Sequence, residues 1–197
     1  MKVYQIKIQL IDLKPSVWRR VLIPANFTFK RLHEVIQLSM GWLDQHHYEY
    51  VIENENLQIT NDEKSYKEYK ACIKENKDNK NITQIKKTNT KISNYLEKYT
   101  GIDYYYDLTN PWCHKIKLEK TMDDYELEYP QIIEGAGTCP PENVGGIDGY
   151  KEFLIVWNDP SHPEYEEIRA WAENLYYNNF DMGERNDLLK AFAYRIY

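Results

Sequence analysis

An α+β fold, with an antiparallel sheet and helices packed on one side of it in a single domain, is what this sequence predicts. Three observations carry the prediction. Segments in the first 120 residues alternate apolar and polar side chains with the period of a half-buried strand. Segments after residue 146 repeat apolar side chains at helical spacing. No run of about 18 apolar residues offers a membrane span. Strands first, with helices segregated behind them, make an α+β domain.

Each element follows from its residues. "VYQIKIQLIDL" sets Tyr4, Ile6, Ile8 and Leu10 on one face and Gln5, Lys7 and Gln9 on the other. Pro15 supplies a turn, and "VWRRVLIP" returns as the second strand of an antiparallel hairpin, stopped by Pro24. Thr28 has the chemistry of an N-cap, Leu32, Val35, Ile36, Ser39 and Met40 keep helical spacing, and Gly41 is placed to end that helix. "HYEYVIE" resumes alternation through Tyr48, Tyr50 and Ile52, with His46 on the same parity. "KISNYLEKYTG" reads as a short helix closed at Gly101. "IDYYYDL" places Ile102, Tyr104, Tyr106 and Leu108 on one face, and "HKIKLEK" does the same with His114, Ile116 and Leu118. Between them "LTNPWC" carries the turn residues of a hairpin loop. Three helical patterns follow: Tyr150, Phe153, Leu154 and Trp157; then Ile168, Trp171 and Ala172; then Leu188, Leu189, Phe192 and Ile196.

Residues 53–92 differ in kind. Nine lysines stand against three acids between Lys64 and Lys91, and the isoleucines there are isolated. The segment reads as an insertion, partly helical over "EKSYKEYKACIKEN" and loop-like beyond it.

Composition bounds the function classes. The chain has 197 residues, of which 42% are apolar and 18 are tyrosines, so the core is expected to be aromatic with hydrogen bonds at its edges. Cys72, Cys113 and Cys139 are an odd number without a CxxC, which fits reduced thiols and a cytoplasmic setting. The opening "MKVYQIKIQL" alternates as a strand does and lacks the apolar block of a secretory leader. Residues 1–120 carry 20 basic and 15 acidic side chains, whereas residues 121–197 carry 5 and 16. An acidic final third argues against a continuous nucleic-acid surface.

The segment that concentrates unusual chemistry is "CPPENVGG", Cys139 to Gly146. Pro140 and Pro141 fix φ and remove two donors, while Gly145 and Gly146 permit positive φ ahead of a helix. That combination describes a stiff clasp between sheet and helices. Glu142 is placed to cap the helix or to pair with Arg19 or Arg20. A Gly-Gly ahead of a helix can also receive an anion, but no GxGxxG or GK[ST] accompanies it.

His46, Asp107, His114, Cys139 and Glu142 are residue types that bind zinc or move protons. No HExxH, CxxC or HxH spacing joins them, so no metal set is spelled out and no cofactor is expected. The hairpin loop flanked by Asp107 and His114 is expected to bring those two together. Cys139 as a nucleophile would need a base, for which His114 is the attractive candidate. Three uses stay open for these residues: a buried polar network, a metal or catalytic site, and a binding cleft. Candidates for binding contact are Trp42, His46, Trp112, His114, Glu142, Gly145 and Gly146.

In order along the chain, "PSVWRRVLIP", "LHEVIQLSMGW", "HYEYVI", "YYYDLTNPWCHKIKLEK" and "CPPENVGGIDGYKEFL" resemble the Ri-plasmid ORF-three-like family over about residues 1–52 and 95–187. Its members are often described as plasmid proteins or as TnpR-type passengers of insertion elements. The resemblance implies an α+β fold and a plasmid or mobile-element context, and little about reaction type. The family's usual Tyr-Asp-Phe-Gly-Asp-Asp is here Tyr106, Asp107, Leu108, Thr109, Asn110 and Pro111, ahead of Trp112 and His114. The Gly and two of the acids are gone, which puts in doubt any role that needs them. In the proline loop, Asn143 stands where the family has Asp.

The expectation is a non-enzymatic binding or interaction protein. Its partner would be a protein or small molecule, with nucleic acid bound weakly at most and no membrane. The alternative is a metal-dependent or Cys/His hydrolase using His46, Asp107, His114, Cys139 and Glu142.

Overall fold

The computed structural model describes residues 1–75, 83–99 and 101–194. The expected loop-like stretch over residues 76–82 and the helix end at Ile196 lie outside them.

One eight-stranded sheet organises the chain. Its strands are β1 (Val3–Leu10), β2 (Trp18–Pro24), β3 (Tyr48–Ile52), β4 (Leu57–Thr60), β5 (Gln84–Lys87), β6 (Ile102–Tyr106), β7 (Trp112–Met122) and β8 (Gln131–Ala136). In space they run β5-β4-β3-β6-β7-β1-β2-β8. Every pairing is antiparallel except β4 with β5. The six α-helices among the described residues are α1 (Phe29–Met40), α2 (Glu63–Glu75), the single turn α3 (Ser93–Leu96), α4 (Gly146–Trp157), α5 (Tyr165–Asn174) and α6 (Met182–Tyr194). The α+β class and single domain predicted above are what the chain adopts.

Alternation decides the faces. Tyr4, Ile6 and Ile8 are fully buried, while Gln5, Lys7 and Gln9 between them keep some surface. Ile102, Tyr104, Tyr106, Trp112, His114 and Ile116 share the buried face with Phe29, Leu32, Val35 and Ile36 of α1. Burial of each such large side chain contributes about 1.5–3 kcal/mol. The opposite face carries a smaller cluster, Val3, Leu22 and Leu127, and the ion pair of Arg20 with Glu119 at 2.6 Å.

α1 is bounded by the predicted residues. The Thr28 side chain accepts from the Arg31 amide at 3.3 Å, and Gly41, at φ 96°, ends the helix in the left-handed conformation. Farther on, α6 packs on both α1 and β8. Asn186 of α6 brackets Ile132 of β8, accepting its N–H at 2.7 Å and donating to its carbonyl at 2.9 Å. A helix side chain thus satisfies an edge strand that would otherwise present open backbone.

Several details depart from the sequence reading. Residues 53–92 are not all excursion: Leu57 and Ile59 are core, and both β4 and β5 extend the sheet. A four-residue strand amid lysines leaves too short a period to detect. β8 went unread because "QIIEGA" mixes an apolar pair with Glu134 and Gly135. Strand β6 stops at Tyr106, since Asp107 at φ 58° turns the chain, and Leu108 is therefore exposed. In α6 Leu189 is buried and Leu188 points outward. Helix α3 ends before Glu97, short of Gly101.

Candidate functional site

The candidate residues gather where the end of α1, the start of β3, the β6–β7 turn and the proline loop meet. Trp42 follows the Gly41 cap and turns inward. Its indole N–H donates to the Pro140 carbonyl at 2.9 Å, and its ring stacks on Tyr106 with centroids 4.9 Å apart. An edge contact at 5.3 Å joins it to His114.

Glu142 is 4% exposed and lies against both of these segments. One carboxylate oxygen accepts the Leu43 amide at 2.7 Å, and the other accepts the Tyr106 hydroxyl. The Tyr106 oxygen also accepts the Gln45 amide at 2.9 Å. Burial, and secondarily the Glu142 carboxylate, hold the Tyr106 phenol above its usual range. Both Glu142 oxygens are therefore committed to the fold. It neither caps α4 nor pairs with Arg19 or Arg20, as the sequence suggested. Arg20 pairs with Glu119 and Glu134, and Gly145 heads α4 without a side-chain cap.

His46 sits in the loop before β3, partly exposed. One ring nitrogen lies 2.9 Å from Asn143 Oδ1 and the other 3.7 Å from Asp107 Oδ1. Asp107 accepts the amides of Thr109 and Asn110 at 3.2 and 3.4 Å, closing the β6–β7 turn on itself. His46 and Asn143 thus meet near the surface, with the buried Asp107 carboxylate behind them.

Asp107 and His114 do not meet. The hairpin register sets His114 opposite Tyr104, and it points into the core. His114 is fully buried, with Nδ1 3.0 Å from the Trp112 carbonyl and Nε2 without a hydrogen-bond partner among the described residues. Burial pulls its pKa down to about 4, so the ring is neutral near pH 7. The expected His–Asp network is replaced by two separate local ones, because strand period 2 sends His114 inward while the Asp107 turn faces out.

Cys139 keeps some exposed surface. Burial of the thiol nevertheless pushes its pKa up to about 12, against the opposing pull of Arg19 and Arg185. A thiol in that state is neither a ready nucleophile nor a ready metal ligand. Among the described residues, no three of His, Cys, Asp and Glu converge as a metal-holding set.

Gly145 and Gly146 have φ of 88° and 69°, both closed to most side chains, and a Cβ on Gly146 would stand 3.4 Å from Asn110 Cβ. Trp112 is 2% exposed and packs edge-on to Tyr150 at 6.4 Å. Trp42, Trp112 and His114 consequently have almost no surface to offer a partner.

Two features escaped the sequence reading. His33 in α1 is buried, stacked on Tyr48 at 3.5 Å, and lies between the Tyr104 hydroxyl at 2.8 Å and Asp44 at 2.7 Å. Gln37 donates to the same hydroxyl at 3.1 Å. A neutral His33 with its proton on Nε2 satisfies every member: Tyr104 donates to Nδ1, and Nε2–H donates to Asp44. This relay reaches a cleft of about 300 Å³ lined by Asp44, Thr60, Asp62 and Tyr66. The signal was His33 and Gln37 at i, i+4 beside an apolar stripe. The second feature is the cage around Arg19, which is buried in β2 and held, in place of the suggested Glu142, by the carbonyls of Trp18, Ser39, Ala136 and Gly137 at 2.8–3.1 Å, with Phe180 stacked on it. Burial lowers its pKa to about 10.

With this geometry in view, the comparisons with known proteins are decisive for kinship. The model of the plasmid pRiA4b ORF-3-like proteins matches residues 2–186. The chain belongs to the plasmid pRiA4b ORF-3-like family. A relative, the uncharacterized protein y4hQ of Sinorhizobium fredii (strain NBRC 101917 / NGR234), is 32% identical over 177 residues, covering 90% of this chain and 84% of its own. A protein of unknown function, MM3350 from Methanosarcina mazei Go1, has a crystal structure that matches with a TM-score of 0.73 at 28% identity. That match covers 93% of this chain and 97% of the other. No helix among the described residues is long and apolar enough to cross a membrane.

Proposed function

We propose that this protein acts by binding, without catalysis, in a plasmid or mobile-element setting, and that its signature residues build a rigid platform for that role. The observation that carries the reading is the commitment of Glu142: both oxygens are held, by Leu43 and by Tyr106, at a buried position. A catalytic carboxylate needs a free oxygen facing substrate. The other chemical residues support the same reading, since His114 is walled into the core and the Cys139 thiol stays protonated.

The partner-facing part of the platform is its rim. His46 and Asn143 stand near the surface, and Leu43, three residues before His46, and Leu108, next to Asp107, are exposed. A protein or small molecule is the partner that such a mixed polar and apolar rim suits. The acidic final third keeps nucleic-acid binding weak and salt-sensitive.

Metal analysis and hydrolase assays on untagged protein test the reading. The expected result is no stoichiometric metal and no turnover that depends on Cys139 or Glu142. Stoichiometric zinc, lost in both His46→Ala and His114→Ala, would overturn it.

A further inference from the structure

The proline loop closes over a small cavity of about 20 Å³, lined by Arg19, Arg185, Cys139, Glu142, Tyr176 and Asn178 among others. Two guanidinium groups line this space, and they are satisfied very differently. Arg19 donates to four backbone carbonyls, which leaves one N–H of its five unspent. The Arg185 side chain is 12% exposed, and among the described residues its guanidinium makes no hydrogen bond. Its nearest carboxylate is that of its neighbour Glu184, at 3.9 Å, beyond hydrogen-bonding reach.

The C-terminal, negative end of α1 and the Glu184 carboxylate both favour a cation there, but neither gives the Arg185 guanidinium a hydrogen bond among the described residues. Arg185 is pressed against the α1 cap, where a Cβ on Gly41 would stand only 3.0 Å from its Cζ. A charge taken this far out of water is costly unless it is paired. Glu142, the nearby carboxylate of the lining, spends one acceptor site of each oxygen on Leu43 and Tyr106, and among the described residues it makes no ion pair with Arg185. Two guanidinium charges against the single Glu142 carboxylate leave the lining of the cavity positive.

The size of the space limits what can balance it. A water needs about 10–15 Å³ of such volume, so the cavity holds one such group and approaches room for two. That suits the two oxygens of a carboxylate, which an arginine fork matches geometrically. We propose that this cavity is an anion subsite that takes the carboxylate of a small molecule or of a larger ligand's end, bound by Arg185 and the spare N–H of Arg19. The inference deepens the binding reading above and rests on it, naming the chemistry that the proline loop encloses.

Formate is the probe, being little more than the carboxylate. Untagged protein is melted in chloride-free buffer with rising formate, ionic strength being held constant by a bulky sulfonate too large for the cavity. The expected result is a saturating rise in melting temperature of about 3 °C. Arg185→Met should abolish that rise, while Arg169→Met, an arginine stacked on Trp157 away from the cavity, should keep it. Acetate should act less strongly if the site takes free ions, and as strongly if a ligand tail can leave through the mouth. No saturable rise in the wild-type protein, or the same rise in Arg185→Met, overturns the subsite. The wild-type titration decides the matter even where Arg185→Met does not fold. A subsite that fails this test leaves the binding reading to its own metal and turnover assay.

Discussion

Trp42 and Pro140 are joined by an indole-to-carbonyl hydrogen bond of 2.9 Å that spans 98 residues of sequence. It fastens the end of the first helix to the proline pair of the loop that precedes α4. Tyr106 and Glu142 make the parallel connection one step along, so three distant segments close on one another. The loop's chemistry is spent on holding the fold.

Trp42→Phe should therefore destabilise the protein by about 1–3 kcal/mol, since it strands the buried Pro140 carbonyl and thins the contact with Tyr106. Urea denaturation followed by tyrosine fluorescence checks it. A change under about 0.5 kcal/mol would mean that the clasp is incidental.

The two glycines carry a conformational requirement. Gly145→Val and Gly146→Val should each cost about 1–3 kcal/mol, because φ is positive at both. Cys139→Ser should cost less, about 1 kcal/mol, as the loss of a small half-buried thiol. Melting curves on the three variants give the order, and a more damaging Cys139→Ser would reverse the account of the loop.

His114 predicts a pH dependence with a definite sign. Its folded pKa is depressed to about 4 from the ordinary 6.5, so the unfolded chain binds the extra proton first. Stability contributed by the neutral buried ring is full above about pH 6.5 and falls as pH drops toward 4, by roughly 3 kcal/mol in all. His114→Gln should flatten that slope between pH 6.5 and 4, whatever it does to stability at pH 7. Denaturation midpoints at half-unit pH steps measure it, and an unchanged slope in the variant would show that another group is responsible.

Alternation made most of the sheet legible. Tyr4 to Leu10, Tyr48 to Ile52 and Ile102 to Tyr106 each announce a buried face, and Thr28 and Gly41 bracket α1 as their chemistry requires. The arrangement around the candidate residues was legible only in part. Of the candidates, His46 and Asp107 lie near each other, with Asn143 beside His46, whereas Glu142 bonds Leu43 and Tyr106 and His114 is turned away, and which atom faces which depends on turn geometry that no periodicity encodes. The left-handed turn at Asp107 is such a case, and it is what parts Asp107 from His114. The true partners of Arg19 were hidden for another reason, being backbone carbonyls, and Arg185 lines a small cavity, neither of which leaves a motif.

The lysine-rich segment gives a fourth prediction. Leu57→Ala and Ile59→Ala should each cost about 2–4 kcal/mol, since both side chains are in the core despite their surroundings. A deletion that removes β4 should cost more than either, because it also opens the edge of β3. Chemical denaturation of the point variants checks the claim, and losses under about 1 kcal/mol would mark the segment as peripheral.

The measurement that bears most directly on the clasp is the stability of Glu142→Gln set beside its metal content and turnover. The amide cannot accept from both the Tyr106 hydroxyl and the Leu43 amide as the carboxylate does. A loss of about 1.5–3 kcal/mol, with no metal or activity to lose, is the predicted result. Unchanged stability, accompanied by loss of a bound metal or of a hydrolytic activity seen in the wild-type protein, would contradict the account.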